Sequence, residues 1–198
     1  MNIRQFKALQ TKKKISDTAL KLFNEKSFSQ VTVDEIINKT NTSKGAFYTH
    51  FKSKHDIFLE KFKEVDNYYL NQLVDIIATE KTYIDKLTVF LGLQMTYIEQ
   101  DLGWDLIRTI YESELNTERD SFFLLPNRAL YSILLSIFEK GQKNNEFRHD
   151  FTPEYMMSIC VRVMRGILYD WSLHRGDFSL IKEQENLFGI MIKGLKKE

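Results

Sequence analysis

The sequence predicts an all-α protein of about nine helices, and three observations carry that reading. Of 198 residues only 2 are Pro and 8 are Gly, while Leu, Ile, Lys and Glu are abundant, a composition that favours helices. Apolar residues recur three, four and seven positions apart along most of the chain, the signature of amphipathic helices. No stretch alternates apolar and polar residues as a half-buried strand would.

The elements follow in order. Ile15, Ala19, Leu22 and Phe23 define one face of a first helix near residues 8–26, and the stretch from Ser27 to Val31 breaks it. Thr32-Val-Asp-Glu35 reads as a capping box, with the Thr hydroxyl taking a free amide and Glu35 reaching back. Val33, Ile36 and Ile37 then form the stripe of a short second helix ending near Thr40. Asn41 and Thr42 make the turn, and Thr42 or Ser43 caps a third short helix running to about His50. Ser53 opens a fourth helix with the stripe Phe58, Phe62, Val65, Tyr69, Leu73 and Ile76.

Further along, Ile84, Leu87, Leu91 and Ile98 mark a fifth helix, and Leu106, Ile107, Ile110 and Tyr111 a shorter sixth. The acidic stretch from Glu112 to Asp120 reads as a helix end and loop. Pro126 suits the first turn of a seventh helix with Leu130, Ile133, Leu134, Ile137 and Phe138 inward. Pro153 opens an eighth that Gly176 ends, and Ile181, Phe188, Met191, Ile192 and Leu195 mark a ninth. The longest charge-free run, Leu87 to Ile98, is interrupted by Gln94 and Thr96 and is too short to cross a bilayer. The single cysteine, Cys160, excludes an internal disulfide framework and fits a buried core thiol in a reducing cytoplasm.

A near-zero net charge hides a split. Residues 1–55 hold eleven Lys and Arg against four acids, a net charge of +7, and the remainder carries −6. Such asymmetry points to a polyanionic partner for the front segment alone. The second and third helices, joined by three or four residues, have the spacing of a helix-turn-helix whose second member enters the major groove of DNA. Phe47 and Phe51, four apart, anchor that third helix, leaving Lys44, Tyr48 and Thr49 on or near its outer face. Gly45 lets backbone approach DNA closely, Tyr48 and His50 can bond phosphate oxygens, and Lys52 and Lys54 add charge at the start of the next helix.

The stretch from Thr32 to Lys54, with Ala19-Leu-Lys-Leu-Phe23 and Phe28 upstream, resembles the DNA-binding signature of the TetR family of transcriptional regulators. The resemblance implies an all-α homodimer with an N-terminal helix-turn-helix domain at residues 1–55. A helical ligand-binding and dimerisation domain follows at residues 56–198, dimerising through the last two long helices. Carried over by position, it implies phosphate contacts for Thr32, Tyr48, His50 and Lys54, and base-edge contacts for Lys44, Gly45 and Thr49. Asn41 stands where the family commonly has Gly, and Asn tolerates the left-handed turn.

The rest of the chain shows no catalytic constellation. His50 and His55 straddle a helix break, His149 and His174 lack ligand partners, and no P-loop, Rossmann or nucleophile-elbow pattern occurs. Neither an enzyme, a metal, nor a cofactor is expected. Trp104, Ile107, Tyr111, Tyr131 and Met164 are the candidates for an apolar effector pocket, and Trp171, Phe188, Met191 and Leu195 for a dimer interface. The expected protein is a cytoplasmic repressor that reads a palindromic double-stranded operator as a homodimer and releases it on binding a largely apolar or aromatic small molecule. The alternative is a regulator of the same fold without a small-molecule inducer, governed by a protein partner or acting architecturally.

Overall fold

The computed structural model describes residues 3–26, 28, 30–115 and 121–197. Ser27, Ser29 and residues 116–120 lie outside the described residues, as do the side chains of Phe58 and Phe62. Ten α-helices occur among the described residues: α1 (Ile3–Lys26), α2 (Val33–Thr40), α3 (Lys44–His50), α4 (Lys54–Tyr68), α5 (Val74–Ala78), α6 (Tyr83–Tyr97), α7 (Trp104–Glu114), α8 (Ala129–Lys143), α9 (Pro153–Leu173) and α10 (Leu180–Leu195). Residues up to Lys63 form one compact unit and residues from Glu64 onward another.

In the first unit, α1 starts five residues earlier than the apolar pattern implies. Its first buried side chain is Ile15, and Ile15, Ala19, Leu22 and Phe23 make its inner face. Ile36 and Ile37 of α2, Phe47 of α3, and Val31, Phe51 and Ile57 complete this small core.

In the second unit, α6 lies against α5, α8 and α10, and α9 against α7, α8 and α10. Among the described residues two segments are wound as π-helix, Tyr69–Leu73 between α4 and α5 and Ile98–Leu102 after α6. The first explains one departure from the sequence pattern. A π turn accommodates one more residue than an α turn, so the buried series runs Val65, Tyr69, Leu73, Ile77, and Ile76 is 45% exposed. The seventh expected helix also starts late. Pro126 sits in a turn, and Arg128 is the N-cap residue of α8. By composition alone Phe122–Lys143 is long and apolar enough to cross a membrane. Here it is a 3-10 turn, a bend and then α8, whose Leu130, Ile133, Leu134, Ile137 and Phe138 are buried against the protein.

The C-terminal hairpin is closed at its base. Phe147 forms an antiparallel bridge with Lys196, where Arg148 N–H donates to Leu195 O at 3.1 Å and Lys197 N–H to Glu146 O at 3.0 Å. Phe147 is fully buried edge-on to Phe138, and Gly141 makes room for it, because a Cβ there would lie 2.4 Å from the Phe147 ring.

Candidate nucleic-acid interface and effector site

The reading head is assembled from local chemistry. Thr32 Oγ1 accepts from Glu35 N–H at 3.1 Å, capping α2, and Ser43 Oγ accepts from Ala46 N–H at 3.1 Å, capping α3. Each such cap is worth about 1 kcal/mol. Glu35 does not reach back to complete a capping box, since its carboxylate binds the Lys26 ammonium at 2.6 Å. Between the helices Asn41 adopts φ 51° and ψ 44°, the left-handed turn expected of it. Thr42 N–H donates to Ile37 O, and the Thr40 hydroxyl, buried, donates to Ile36 O at 2.7 Å. This closes α2 with the carbonyls of Ile36, Ile37 and Asn38 satisfied.

Phe47 and Phe51 are buried and hold α3 by its inner face, which leaves Lys44, Gly45, Tyr48 and Thr49 exposed and His50 half-buried. A Cβ on Gly45 would meet nothing closer than Ser43 Oγ at 3.9 Å, so the backbone is open to approach. The Thr49 hydroxyl donates to Gly45 O at 2.8 Å and offers an outside partner its lone pairs. Lys44 Nζ is held by Asp34 Oδ1 at 3.1 Å, both side chains exposed. Thus Thr32, Lys44, Gly45, Tyr48, Thr49 and His50 gather on α3 and the start of α2.

Lys54 is directed elsewhere. Its ammonium donates to Phe28 O at 2.7 Å and Val31 O at 2.8 Å and lies 4.2 Å from the centre of the Phe28 ring. Partial burial lowers its pKa from the ordinary lysine value. It brackets the connection into α2.

The five effector candidates do not converge on one cavity among the described residues. Ile107 and Met164 are buried in packing. Trp104 covers Gly176, whose φ of 75° and lack of a Cβ (which would sit 2.7 Å from the indole) make that contact feasible. Tyr131 donates to Phe123 O, and Arg165 Nη2 reaches both Phe123 O and Tyr131 Oη at 2.8 Å. Tyr111 faces a cleft of about 410 Å³ between α7 and α9, with Arg108, Leu115, Tyr169, Leu173 and Arg175 around it. Its hydroxyl donates to Arg165 O at 3.0 Å, and burial raises its pKa.

The interface candidates need correction. Trp171, Phe188 and Leu195 are 3%, 2% and 3% exposed within a single chain, and Trp171 Nε1–H donates to Phe178 O at 2.8 Å, so these side chains are core. Met191 alone of the four is partly open. The uncovered side of α9 instead carries Tyr155, Ile159, Arg162, Gly166, Tyr169 and Leu173, spaced alternately four and three apart, and that of α10 carries Leu187, Ile190 and Gly194. Cys160 is buried, which pushes its thiol up to about 12.

Sequence reasoning passed over a polar group inside the second unit. Arg128, 5% exposed, makes two bonds to Asp66, Nε–Oδ2 at 3.1 Å and Nη2–Oδ1 at 2.9 Å. Its guanidinium lies 4.4 Å from the Phe122 ring centre. Gln94 of α6, 3% exposed, donates from Nε2 to the hydroxyl of fully buried Tyr69 at 2.7 Å. The signal available was the polar Gln94 within the longest charge-free run.

A capped helix-turn-helix with an exposed outer face on its second helix, followed by an all-helical unit, is the arrangement expected of a DNA reader. Residues 15–60 match the family model described as bacterial regulatory proteins, tetR family. That match lies on the helix-turn-helix segment, over which the chain is similar to that family. It is 18% identical over 181 residues to the fatty acid metabolism regulator protein of Bacillus subtilis (strain 168), covering 91% of this chain and 93% of that one. It is 36% identical over 160 residues to the uncharacterized HTH-type transcriptional regulator YerO of Bacillus subtilis (strain 168), covering 79% of this chain and 48% of that protein. It is 37% identical over 81 residues to the biofilm operon icaADBC negative transcriptional regulator IcaR of Staphylococcus aureus, covering 40% of this chain. The chain thus spans about half or less of the length of those last two relatives. Among solved structures, Thermus thermophilus FadR in complex with lauroyl-CoA superposes with TM-score 0.74 at 19% identity, covering 92% of this chain and 94% of that one. Bacillus subtilis FadR in complex with stearoyl-CoA superposes with TM-score 0.74 at 18% identity, covering 92% and 98%. These two likenesses establish the shared fold.

Proposed function

We propose that this protein is a cytoplasmic repressor that binds a two-fold symmetric operator as a homodimer and releases it when a largely apolar small molecule enters its helical unit. The observation that carries the reading is α3, anchored by Phe47 and Phe51 and presenting Lys44, Tyr48 and Thr49 outward from a segment of charge +7. Lys44, Gly45 and Thr49 read base edges, while Thr32, Tyr48 and His50 hold phosphates. The second copy docks on the uncovered faces of α9 and α10, where Gly166 and Gly194 have no atom within 4 Å of a built Cβ and permit close helix approach. The acyl-CoA complexes of two proteins of the same fold support an effector with an acyl chain.

Selection from random duplexes, followed by fluorescence anisotropy, tests the reading. The selected site is expected to be symmetric, with half-sites about 34 Å apart or a multiple of that. Lauroyl-CoA or stearoyl-CoA is expected to weaken binding roughly 5- to 150-fold, with free coenzyme A as control. Affinity for random DNA equal to that for the selected site overturns the reader. Indifference to both acyl-CoAs overturns the acyl effector.

A further inference from the structure

In the second unit one apolar cleft is bordered by a guanidinium that has no counter-charge among the described residues. The cleft between α7 and α9, about 410 Å³, lies within the size range of small-molecule sites. Its walls are aromatic and aliphatic. Tyr111 and Tyr169 meet edge-on with ring centres 6.1 Å apart, and Leu115 and Leu173, 77% and 60% exposed, leave apolar surface open beside them. Its charged members are Arg108, Glu112 and Arg175. Glu112 is taken, since it accepts from Arg108 Nε at 2.8 Å. The other acids at these ends of α7 and α9 are engaged as well. Glu114 accepts from Ser121 Oγ and Phe123 N–H, and Asp170 faces His174 Nδ1 at 3.6 Å. The Arg175 side chain makes no ion pair or hydrogen bond among the described residues, and Asp177, two positions on, does not reach it. Next to Tyr111, Arg165 binds Phe123 O and Tyr131 Oη rather than a carboxylate. Burial raises the Tyr111 hydroxyl pKa, and the Arg165 charge works against it. The backbone at Arg175 is left-handed, φ 54°, ahead of Gly176 at φ 75°. Gly adopts that conformation freely and a long side chain does not, and strain of this kind clusters at ligand clamps and other functional sites.

We infer that this cleft binds a monocarboxylate with an apolar body, the carboxylate paired with Arg175 and the body lying among Tyr111, Tyr169, Leu115 and Leu173. A guanidinium offers a carboxylate a two-bond, charge-assisted contact that an alcohol cannot match and an ammonium cannot make. The apolar side chains around it stand in water, so covering them with a hydrocarbon chain is favourable. Tyr169 and Leu173 also belong to the α9 face proposed above for the second copy, so the ligand would sit at the edge of that contact.

This inference deepens the reading that the helical unit takes an apolar effector, and rests on it. Calorimetry on the full chain at neutral pH compares decanoate, 1-decanol and decyltrimethylammonium, equal in chain length and different in head-group charge. Decanoate is expected to bind roughly tenfold or more tighter than 1-decanol, and decyltrimethylammonium weakest. Arg175→Asn suits the left-handed backbone and removes the charge. It is expected to bring the decanoate-to-decanol ratio to about one while leaving the affinity for 1-decanol unchanged, whereas Arg175→Lys keeps most of the preference. Leu115→Ser, at an exposed position, is expected to lower both affinities several-fold and keep their ratio. Equal binding of decanoate and 1-decanol by the unaltered protein, a preference that survives Arg175→Asn, or no binding by any probe overturns the inference. Operator release by lauroyl-CoA, measured separately, decides the effector reading. Release without decanoate binding leaves that reading standing and removes this site, and decanoate binding through Arg175 without any operator release keeps the site and removes its effector role.

Discussion

Lys54 separates a structural role from a DNA-binding one, and replacing it with Met tests which it plays. The substitution keeps the side chain's length and removes two ammonium-to-carbonyl bonds at 2.7 and 2.8 Å. Each bond to a charged group is worth about 1.5–3 kcal/mol when shielded. Lys54 is half-buried, so water recovers part of that, and the net cost comes to about 2–4 kcal/mol. A unit of this size holds about 3–9 kcal/mol in all, so the loss is a large share of it. Amide hydrogen exchange in the full chain reports it directly. Protection across α2 and α3 is expected to fall by roughly 30- to 800-fold, at 1.4 kcal/mol per decade. The salt dependence of operator binding, which loses about 0.9 in log–log slope for each phosphate contact removed, is expected to stay the same. Unchanged protection together with a shallower slope would refute the bracket and restore Lys54 as a phosphate contact.

Three more expectations follow from the same geometry. Asp34→Asn releases Lys44 from its exposed ion pair, whose strength is about 0–1 kcal/mol, and removes a negative charge beside the DNA-facing helix. Anisotropy should show operator affinity up by a few-fold at low salt and the gain fading at high salt, whereas Lys44→Ala should cost about 1–3 kcal/mol and relax base preference. Ile190→Glu, at a position 74% exposed in one chain, should give monomers by sedimentation without lowering the melting temperature of the subunit. Phe188→Glu should unfold the chain instead, because it buries an unpaired charge. Burial alone would raise the Glu60 carboxyl, but hydrogen bonds from Lys12 and Lys63 outweigh it and hold its pKa below the ordinary 4.5. The stabilisation is therefore full above about pH 4.5 and lost as the pH falls through the lower folded value; Lys12→Met should remove part of this acid sensitivity in chemical-denaturation curves.

The reading head was legible because its determinants are local. Thr32, Asn41 and Ser43 act on backbone within three or four residues of themselves, and the four-residue spacing of Phe47 and Phe51 fixes which side of α3 is outward. Lys54 was not legible, since its partners at Phe28 and Val31 are brought to it only by folding. Ile76 was misplaced because the π-wound turn adds one residue that no periodic count anticipates. On α9 and α10 the difficulty was of another kind. Both faces are apolar, and a stripe in a sequence does not say which face its own chain covers. Cys160, Met164 and Trp171 face inward while Tyr155, Tyr169 and Leu173 remain open. Gln94 stood out as a polar residue in an apolar run, but Tyr69 is brought to it only by the folded packing.

The bridge between Phe147 and Lys196 has a consequence for assembly. Helices fray from their ends, and an unfastened last turn pays ordering entropy each time a partner docks on it. Here the end of α10 is already fastened by two backbone hydrogen bonds to the turn that precedes α9, over a buried Phe147. The face that carries Ile190 and Gly194 is therefore preorganised in the lone subunit. Its rigidity is settled when the chain folds, so a second copy docking there as proposed would meet a surface that needs no further ordering.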